Sequence, residues 1–349
     1  MTMLTEPVDI VVGVDTHKHT HTAAVVNAAT GALLEDTTQA TDPDGYAALV
    51  AVADRHPGSR VWAVEGTGGY GAGLVRHLRE RGEAVVELDR PDRPARRHGA
   101  KSDPLDAVRA AREALARPHL GEPRAGGERA ALSVLLAARR SAVEASTTAQ
   151  RQLHALVVAA PEALRGRFRG STTAAMVGTA ARLRLDSRWD LETRSTAAAL
   201  RSLARRVRDL RAEAAAHERA IRSVVASWRP DLLDQAGVGP IVAAVVLCAW
   251  SHPGRVRSEA AFATLAGVAP VAASSGLTVR HRLNRCGDRQ LNRALHTVVL
   301  SRLLYDPATR AYAERRRSEG RTDREIKRCL KRYIARSLFR LLEAGSPTA

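Results

Sequence analysis

Four carboxylates in the first third of the chain have the types and spacing for metal-assisted phosphate chemistry. Asp15 ends an apolar run, Asp9-Ile-Val-Val-Gly-Val-Asp15, and Glu65 ends a second, Val61-Trp-Ala-Val-Glu65. Asp103 and Asp106 open a helix-like segment. Acids at the ends of buried strands lose several kcal/mol of hydration unless a cation meets them. No run of Lys or Arg lies beside these ends, so a divalent cation is the natural partner. An all-carboxylate site suits hard ions such as Mg²⁺ or Mn²⁺. Two ions about 3.5–4 Å apart would polarise a phosphodiester and activate a nucleophile.

Each acid also has a plain structural reading. Asp103 is a natural N-cap, Pro104 fits the first helical position, and Asp106 complements the helix dipole. The i, i+3 spacing nevertheless puts both side chains on one side of the first turn, roughly 5–6 Å apart at Cβ. The combination with two strand-end acids, not any one residue, carries the metal reading. Gly66-Thr67-Gly68-Gly69-Tyr70 follows Glu65 and forms a turn whose bare amides can approach a phosphate, or simply a turn.

The elements that must hold these acids read as α/β. Strands are expected at 8–15, 21–27, 31–39, 60–65 and 84–88. Helices are expected at 43–55, after Asp42-Pro43, at about 69–81, and from Asp103. Three meandering strands followed by alternating helix and strand is the order of an RNase H-like (RuvC-like) layered domain. Pro118, Gly121, Pro123 and Gly126-Gly127 make a linker-like break, and a helical stretch follows at 128–160. Between about 190 and 228, apolar steps alternate three and four through Leu200, Leu203, Val207, Leu210, Ala214, His217, Ile221 and Val224. That pattern fits an antiparallel or dimeric coiled coil, or one amphipathic helix packed on its own domain. The expected partition is 1–117, 118–228, 229–304 and a basic helical tail at 305–349.

Charge points the same way as the acids. The 349 residues carry a formal net charge of +17. Residues 1–117 hold 14 Lys/Arg against 17 Asp/Glu, whereas residues 280–340 hold 18 against 6. An Arg-rich composition explains the total but not this contrast. A basic excess confined to the back half favours a polyanionic partner. No apolar stretch reaches the 18 or so residues of a membrane span, no signal peptide is apparent, and three separated Cys suggest neither disulfides nor zinc. A cytoplasmic protein is expected.

Two further blocks lie in the basic half. Gly237-Val-Gly239-Pro240 reads as a helix-hairpin-helix, whose second helix start can bind a nucleic-acid phosphate through its amides, or as a tight helical corner. Ser274-Ser275-Gly276 reads as a loop, followed by Arg280, Arg282, Arg285 and Arg289, a plausible phosphate clamp. No His–Asp pair is placed in sequence to activate a serine.

Taken in order, Gly13-Val-Asp15-Thr-His17-Lys18, Val64-Glu65-Gly-Thr-Gly-Gly-Tyr70, Lys101-Ser-Asp103-Pro-Leu-Asp106-Ala, Gly237-Val-Gly-Pro240 and Ser274-Ser275-Gly276 with Arg285-Cys-Gly-Asp-Arg289 resemble the DEDD transposases of the IS-one-ten insertion-sequence family, which includes the Piv-type DNA invertases. The resemblance covers nearly the whole chain. It implies a RuvC-like domain whose Asp15, Glu65, Asp103 and Asp106 bind divalent metal. It also implies a C-terminal domain whose nucleophile is Ser275, with Ser274 the alternative. Strand exchange through a covalent serine–DNA linkage, a composite site from two subunits in a dimer or tetramer, and a structured guide RNA pairing with element and target DNA are implied likewise.

The alternatives are a RuvC-like structure-selective endonuclease that hydrolyses DNA with the acids alone, a sugar-kinase or actin-like ATPase, and a non-catalytic nucleic-acid binder. An ATPase expects a Gly-rich phosphate turn after the first strand, where this chain has Asp15-Thr-His17-Lys18. A mere binder leaves four acids without a purpose.

Overall fold

The computed structural model describes residues 8–88, 103–117, 119–272, 281–282, 284 and 287–345. The chain forms two compact units, Met1–Ala125 with Ser251–Ser258, and Gly126–Trp250 with Glu259–Ala349.

The first unit is built on five strands, β1 Ile10–Thr16, β2 Thr20–Asn27, β3 Leu33–Ala40, β4 Arg60–Glu65 and β5 Val85–Leu88, in the order β3-β2-β1-β4-β5. β1 pairs antiparallel with β2, and β2 antiparallel with β3, whereas β1–β4 and β4–β5 are parallel. β1 is a continuous apolar run because it is buried on both faces, as a central strand requires. β3 alternates exposed and half-buried residues because it is the edge.

Helices α1 Pro43–Asp54 and α2 Ala72–Glu80 cover one face, packing Leu49, Leu74 and Leu78 on Val12, Val14, Trp62 and Val64. α3 Asp103–Ala116 covers the other, laying Ala107, Ala111 and Ala114 on Val11, Val61 and Ala63. α1 starts where Asp42 and Pro43 lead one to expect, with Asp42 Oδ1 accepting from the Gly45 amide at 2.8 Å. α2 starts three residues later than its pattern suggests, because Gly66 adopts a positive φ of 70° and the chain turns through Gly71 before the helix begins.

The second unit is helical: α4 Gly127–Ala159, α5 Glu162–Arg165, α6 Thr173–Ala181, α7 Leu191–Trp228, α8 Pro240–Trp250, α9 Glu259–Leu265, α10 Arg289–Tyr305, α11 Pro307–Ser318 and α12 Asp323–Ala344. A two-stranded hairpin, β6 Val271–Ala272 with β7 His281–Arg282, precedes α10. The heptad of α7 has its partner within the chain. α4 runs antiparallel to it, with Arg139 on Glu218 at 2.9 Å and Arg211 on Gln150 at 2.9 Å. Leu200, Val207, Ala214 and Ile221 are buried, as are the small Ala197 and Ala204. The basic segment beyond residue 305 is folded, since α12 buries Ile326, Leu330, Ile334, Leu338 and Leu342 at helical spacing. Among the described residues no helix is long and apolar enough to cross a membrane.

Candidate metal centre and nucleic-acid interface

Parallel pairing of β1 with β4 matches Gly13 to Ala63 and Val14 to Val64, so Asp15 and Glu65 follow at adjacent strand ends. By the two-residue repeat of a strand, Asp15 shares the face of Val11 and Gly13, and Glu65 that of Val61 and Ala63, the face that α3 covers. Gly13 sets how closely α3 approaches. A Cβ there would lie 2.1 Å from the Ala107 carbonyl oxygen and 2.5 Å from the Ala111 nitrogen. Without one, the first turn of α3 reaches the end of β1.

His17 joins the two elements. Its Nε2 lies 3.2 Å from Asp15 Oδ2 and 3.4 Å from Asp103 Oδ1, and one ligand atom from each of the three residues falls within 4.8 Å of the others. That nitrogen is buried yet makes no well-directed hydrogen bond. Burial pushes the Asp15 carboxyl above the ordinary carboxylate value, His17 pulls against this, and Asp103 and Asp106 push it further up. Asp106, one turn along α3, pairs with Arg109 at 2.8 Å. Glu65 is half-buried, and its carbonyl accepts from Thr16 Oγ1 at 2.9 Å. The donor set suits a divalent cation: carboxylate oxygens too close to share their charge comfortably, and an imidazole nitrogen turned toward two of them.

His17 was not singled out by sequence as a ligand. The available signal was its position two residues after Asp15, which returns a side chain to the same side of an extended strand. Glu87, on β5, is a different kind of acid. It accepts from Thr67 Oγ1 at 2.6 Å and pairs with Arg255 at 3.3 Å, so its charge is already met.

In the helical unit, Arg282 is exposed on β7, and Arg289 opens α10 behind the N-cap Asp288, whose Oδ1 accepts from Gln290 and Leu291 amides. Ser274, Ser275, Arg280 and Arg285 lie outside the described residues. The Gly237–Pro240 corner differs from a full helix-hairpin-helix. α8 does open at Pro240, but only a 3₁₀ turn, Pro230–Leu232, and further turns precede it. Pro230 has no amide to continue α7, and buried Arg229 turns to the Leu341 and Leu342 carbonyls. Gly237 has a φ of 77°, and a Cβ on it would press on Ser301 and Val298 of α10 at 3.2 Å. Its role at this corner is thus packing as well as turning, while Gly239 is exposed with open space around it.

Residues 12–160 match a family model described as Transposase (DEDD, IS110), and residues 231–314 match one described as Transposase IS116/IS110/IS902 family. The chain belongs to the IS110 family of transposases. A similar protein, the "Insertion element IS110 uncharacterized 43.6 kDa protein" of Streptomyces coelicolor, is 34% identical over 118 residues. That match spans 34% of this chain and 29% of the relative. The first IS110 span contains all four acids and His17, and the second contains the serine pair and Arg ladder.

Proposed function

We propose that this chain is a DNA transposase that cuts and rejoins strands at the ends of a mobile element. In this reading the α/β unit is an RNase H-like (RuvC-like) domain, Asp15, Glu65, Asp103, Asp106 and His17 hold Mg²⁺ or Mn²⁺, and Ser275 is the nucleophile. The carrying observation is the meeting of Asp15, His17 and Asp103 at the end of β1, beside the strand that ends in Glu65. The strand order, with three antiparallel strands followed by two parallel ones, supports the RNase H-like assignment.

Held by Asp15, His17 and Asp103, a divalent cation would supply Lewis-acid polarisation of the phosphodiester and stabilise the charge that builds on it. The protein's own contribution is to fix the acids. Gly13 lets α3 bring Asp103 and Asp106 to Asp15, and the buried strand end keeps water away from that carboxylate. At the serine, the hydroxyl loses its proton and an Oγ–P bond forms. The P–O bond to one deoxyribose breaks, and the departing oxygen takes up a proton. Attack by the hydroxyl of an incoming strand reverses these changes and frees Ser275, so no bond energy is lost to hydrolysis. Arg280, Arg282, Arg285 and Arg289 would hold backbone phosphates, and the Gly237–Gly239 corner would offer amides. We further assign a structured guide RNA, which would read sequence by base pairing while the protein reads backbone, and a dimer or tetramer in which two subunits complete each site.

The test is to incubate the protein with Mg²⁺, DNA carrying the element ends and the flanking RNA, then run a denaturing gel. A protein–DNA adduct that disappears in Ser275→Ala is expected. Clean cuts without an adduct, unchanged in Ser275→Ala, would replace the transposase reading with a hydrolytic RuvC-like nuclease.

A further inference from the structure

A cavity of about 670 Å³ opens in the helical unit between the residues leading into β6 (Gly267–Pro270), β7, and helices α11 and α12. Its wall carries Arg282, Arg316, Arg321, Arg328, Lys331 and Arg332, against a single carboxylate, Glu325. Several of these cations are spoken for. Arg316 pairs with Glu319, Arg321 approaches Glu325 at 3.9 Å, and Arg332 donates to the Glu259 carbonyl at 3.1 Å.

Among the described residues Lys331 has no carboxylate partner. It is only 9% exposed, and its Nζ donates at 3.0 Å to Asn292 Oδ1, an uncharged amide. Asn292 is held in that orientation because its Nδ2 donates to the Ala266 carbonyl at 2.7 Å. Burial, and then the neighbouring Arg328, pull the Lys331 ammonium below its usual value. A buried ammonium beside a second cation, without a carboxylate, is a costly arrangement unless an anion completes it. Tyr333 adds an aromatic ring, 53% exposed, to the same wall. In sequence, Ser274 and Ser275 lie between Pro270 and Arg282, two residues of the cavity.

We propose that this cavity binds a backbone phosphate of a single nucleic-acid strand, with Lys331 and Arg328 contacting the phosphate and Tyr333 stacking on a neighbouring base. The inference rests on the reading that the chain acts on nucleic acid, and adds where the helical unit grips it. Arginine and lysine set around a pocket, with one aromatic face, are the components of single-strand binding sites. Helices α11 and α12 thereby become part of the substrate path, which the Arg280–Arg289 ladder alone did not suggest.

The test uses the full chain with fluorescein-labelled 20-nucleotide single strands, one DNA and one RNA, read by anisotropy over a salt series. Arg328→Ala and Lys331→Met are compared with Arg340→Ala, which removes the same charge from α12 but pairs with Glu259 outside the cavity. Arg328→Ala is expected to weaken binding roughly tenfold and to lower the salt slope by about 0.7, the value for one phosphate contact on a single strand. Lys331→Met keeps the packing volume and is expected to bind weakly with a melting temperature no lower than that of the wild type. Dependence seen with the DNA strand, the RNA strand or both supports the site and names its source. If the wild type binds well and both cavity variants match Arg340→Ala, the cavity is not the site. If the wild type binds neither strand, the inference and the nucleic-acid reading fall together.

Discussion

The two ends of strand β4 treat charge in opposite ways, about 16 Å apart at the rise of a strand. At its start, Arg60 meets Glu83 through Nε at 2.9 Å and Asp54 at 2.7 Å, and Trp62 Nε1 donates to Glu83 at 3.0 Å. The Arg60 hydrogen bond holds Glu83 below its ordinary value. At its finish, Glu65 lies beside Asp15, whose carboxyl is pushed up by burial and by Asp103 and Asp106. One end is a solved electrostatic problem that stabilises the fold. At the other, among the described residues, His17 stands 3.2 Å from Asp15 and Arg109 pairs with Asp106, while Asp15 stays raised by burial and by its acidic neighbours. A fold tolerates such a cluster where a ligand completes it, which is why perturbed carboxylates mark sites better than acidic residues as such.

Exchanging charge for amide at each end would break this comparison most directly. Asp15→Asn should abolish DNA cleavage, by about 10³-fold or more, in a gel assay with Mg²⁺. It should leave the metal-free protein at least as stable, because it removes a buried charge among like charges. Glu83→Ala should do the reverse: activity retained, stability down by about 2–4 kcal/mol in urea unfolding, since Arg60 and Trp62 lose their partner. If Asp15→Asn unfolded the protein and Glu83→Ala abolished cleavage, the two ends would have been assigned the wrong way round.

His17→Ala sharpens the contrast at the metal end. The loss of one nitrogen donor should weaken Mn²⁺ binding by roughly 10–100-fold in calorimetry, while the carboxylates keep a residual site. Mn²⁺ should raise the melting temperature of the wild type by mass action and leave Asp15→Asn almost unmoved. Equal Mn²⁺ affinity in His17→Ala and wild type would make His17 only a counter-charge for Asp15 and Asp103.

How much of this was legible beforehand follows from what each pattern encodes. β1 and β4 are apolar runs that end in acids, so both strands and both strand-end carboxylates could be read directly. Asp42-Pro43 marks a helix start by local hydrogen bonding alone, and α1 begins there. The closeness of Asp103 to Asp15 is a tertiary fact: it depends on Gly13 and three alanines of α3 meeting face to face, which no local pattern announces. His17 is not legible as a ligand in the sequence, because a histidine beyond a strand end looks like a turn residue until α3 closes on it. The α7 heptad read equally well with a partner in the same chain or another, since an apolar seam does not say whose helix fills it. Ala197 and Ala204 were invisible as core because alanine carries so little apolar signal. The α12 face was masked by the many charges around it.

The smallest effect is also the one that tests both ends in a single titration. Glu83 has a folded value below its unfolded one of about 4.3, so its stabilisation is complete above that pH and disappears as pH falls through the lowered folded value. Asp15 has a folded value above its unfolded one of about 3.9, so the favourable share it contributes is present below that pH and is lost as pH rises through the raised folded value. In metal-free buffer, the stability difference between wild type and Glu83→Gln should therefore shrink on going from pH 7 toward pH 3. The advantage of Asp15→Asn over wild type should shrink over the acid limb as well, but with the opposite sign: wild type gains on the Asn variant as Asp15 takes up its proton. Thermal melts at half-unit pH steps resolve the two curves. Two curves moving in the same direction relative to wild type would mean that Asp15 is as well partnered as Glu83, and the case for a cation at the end of β1 would lose its electrostatic ground.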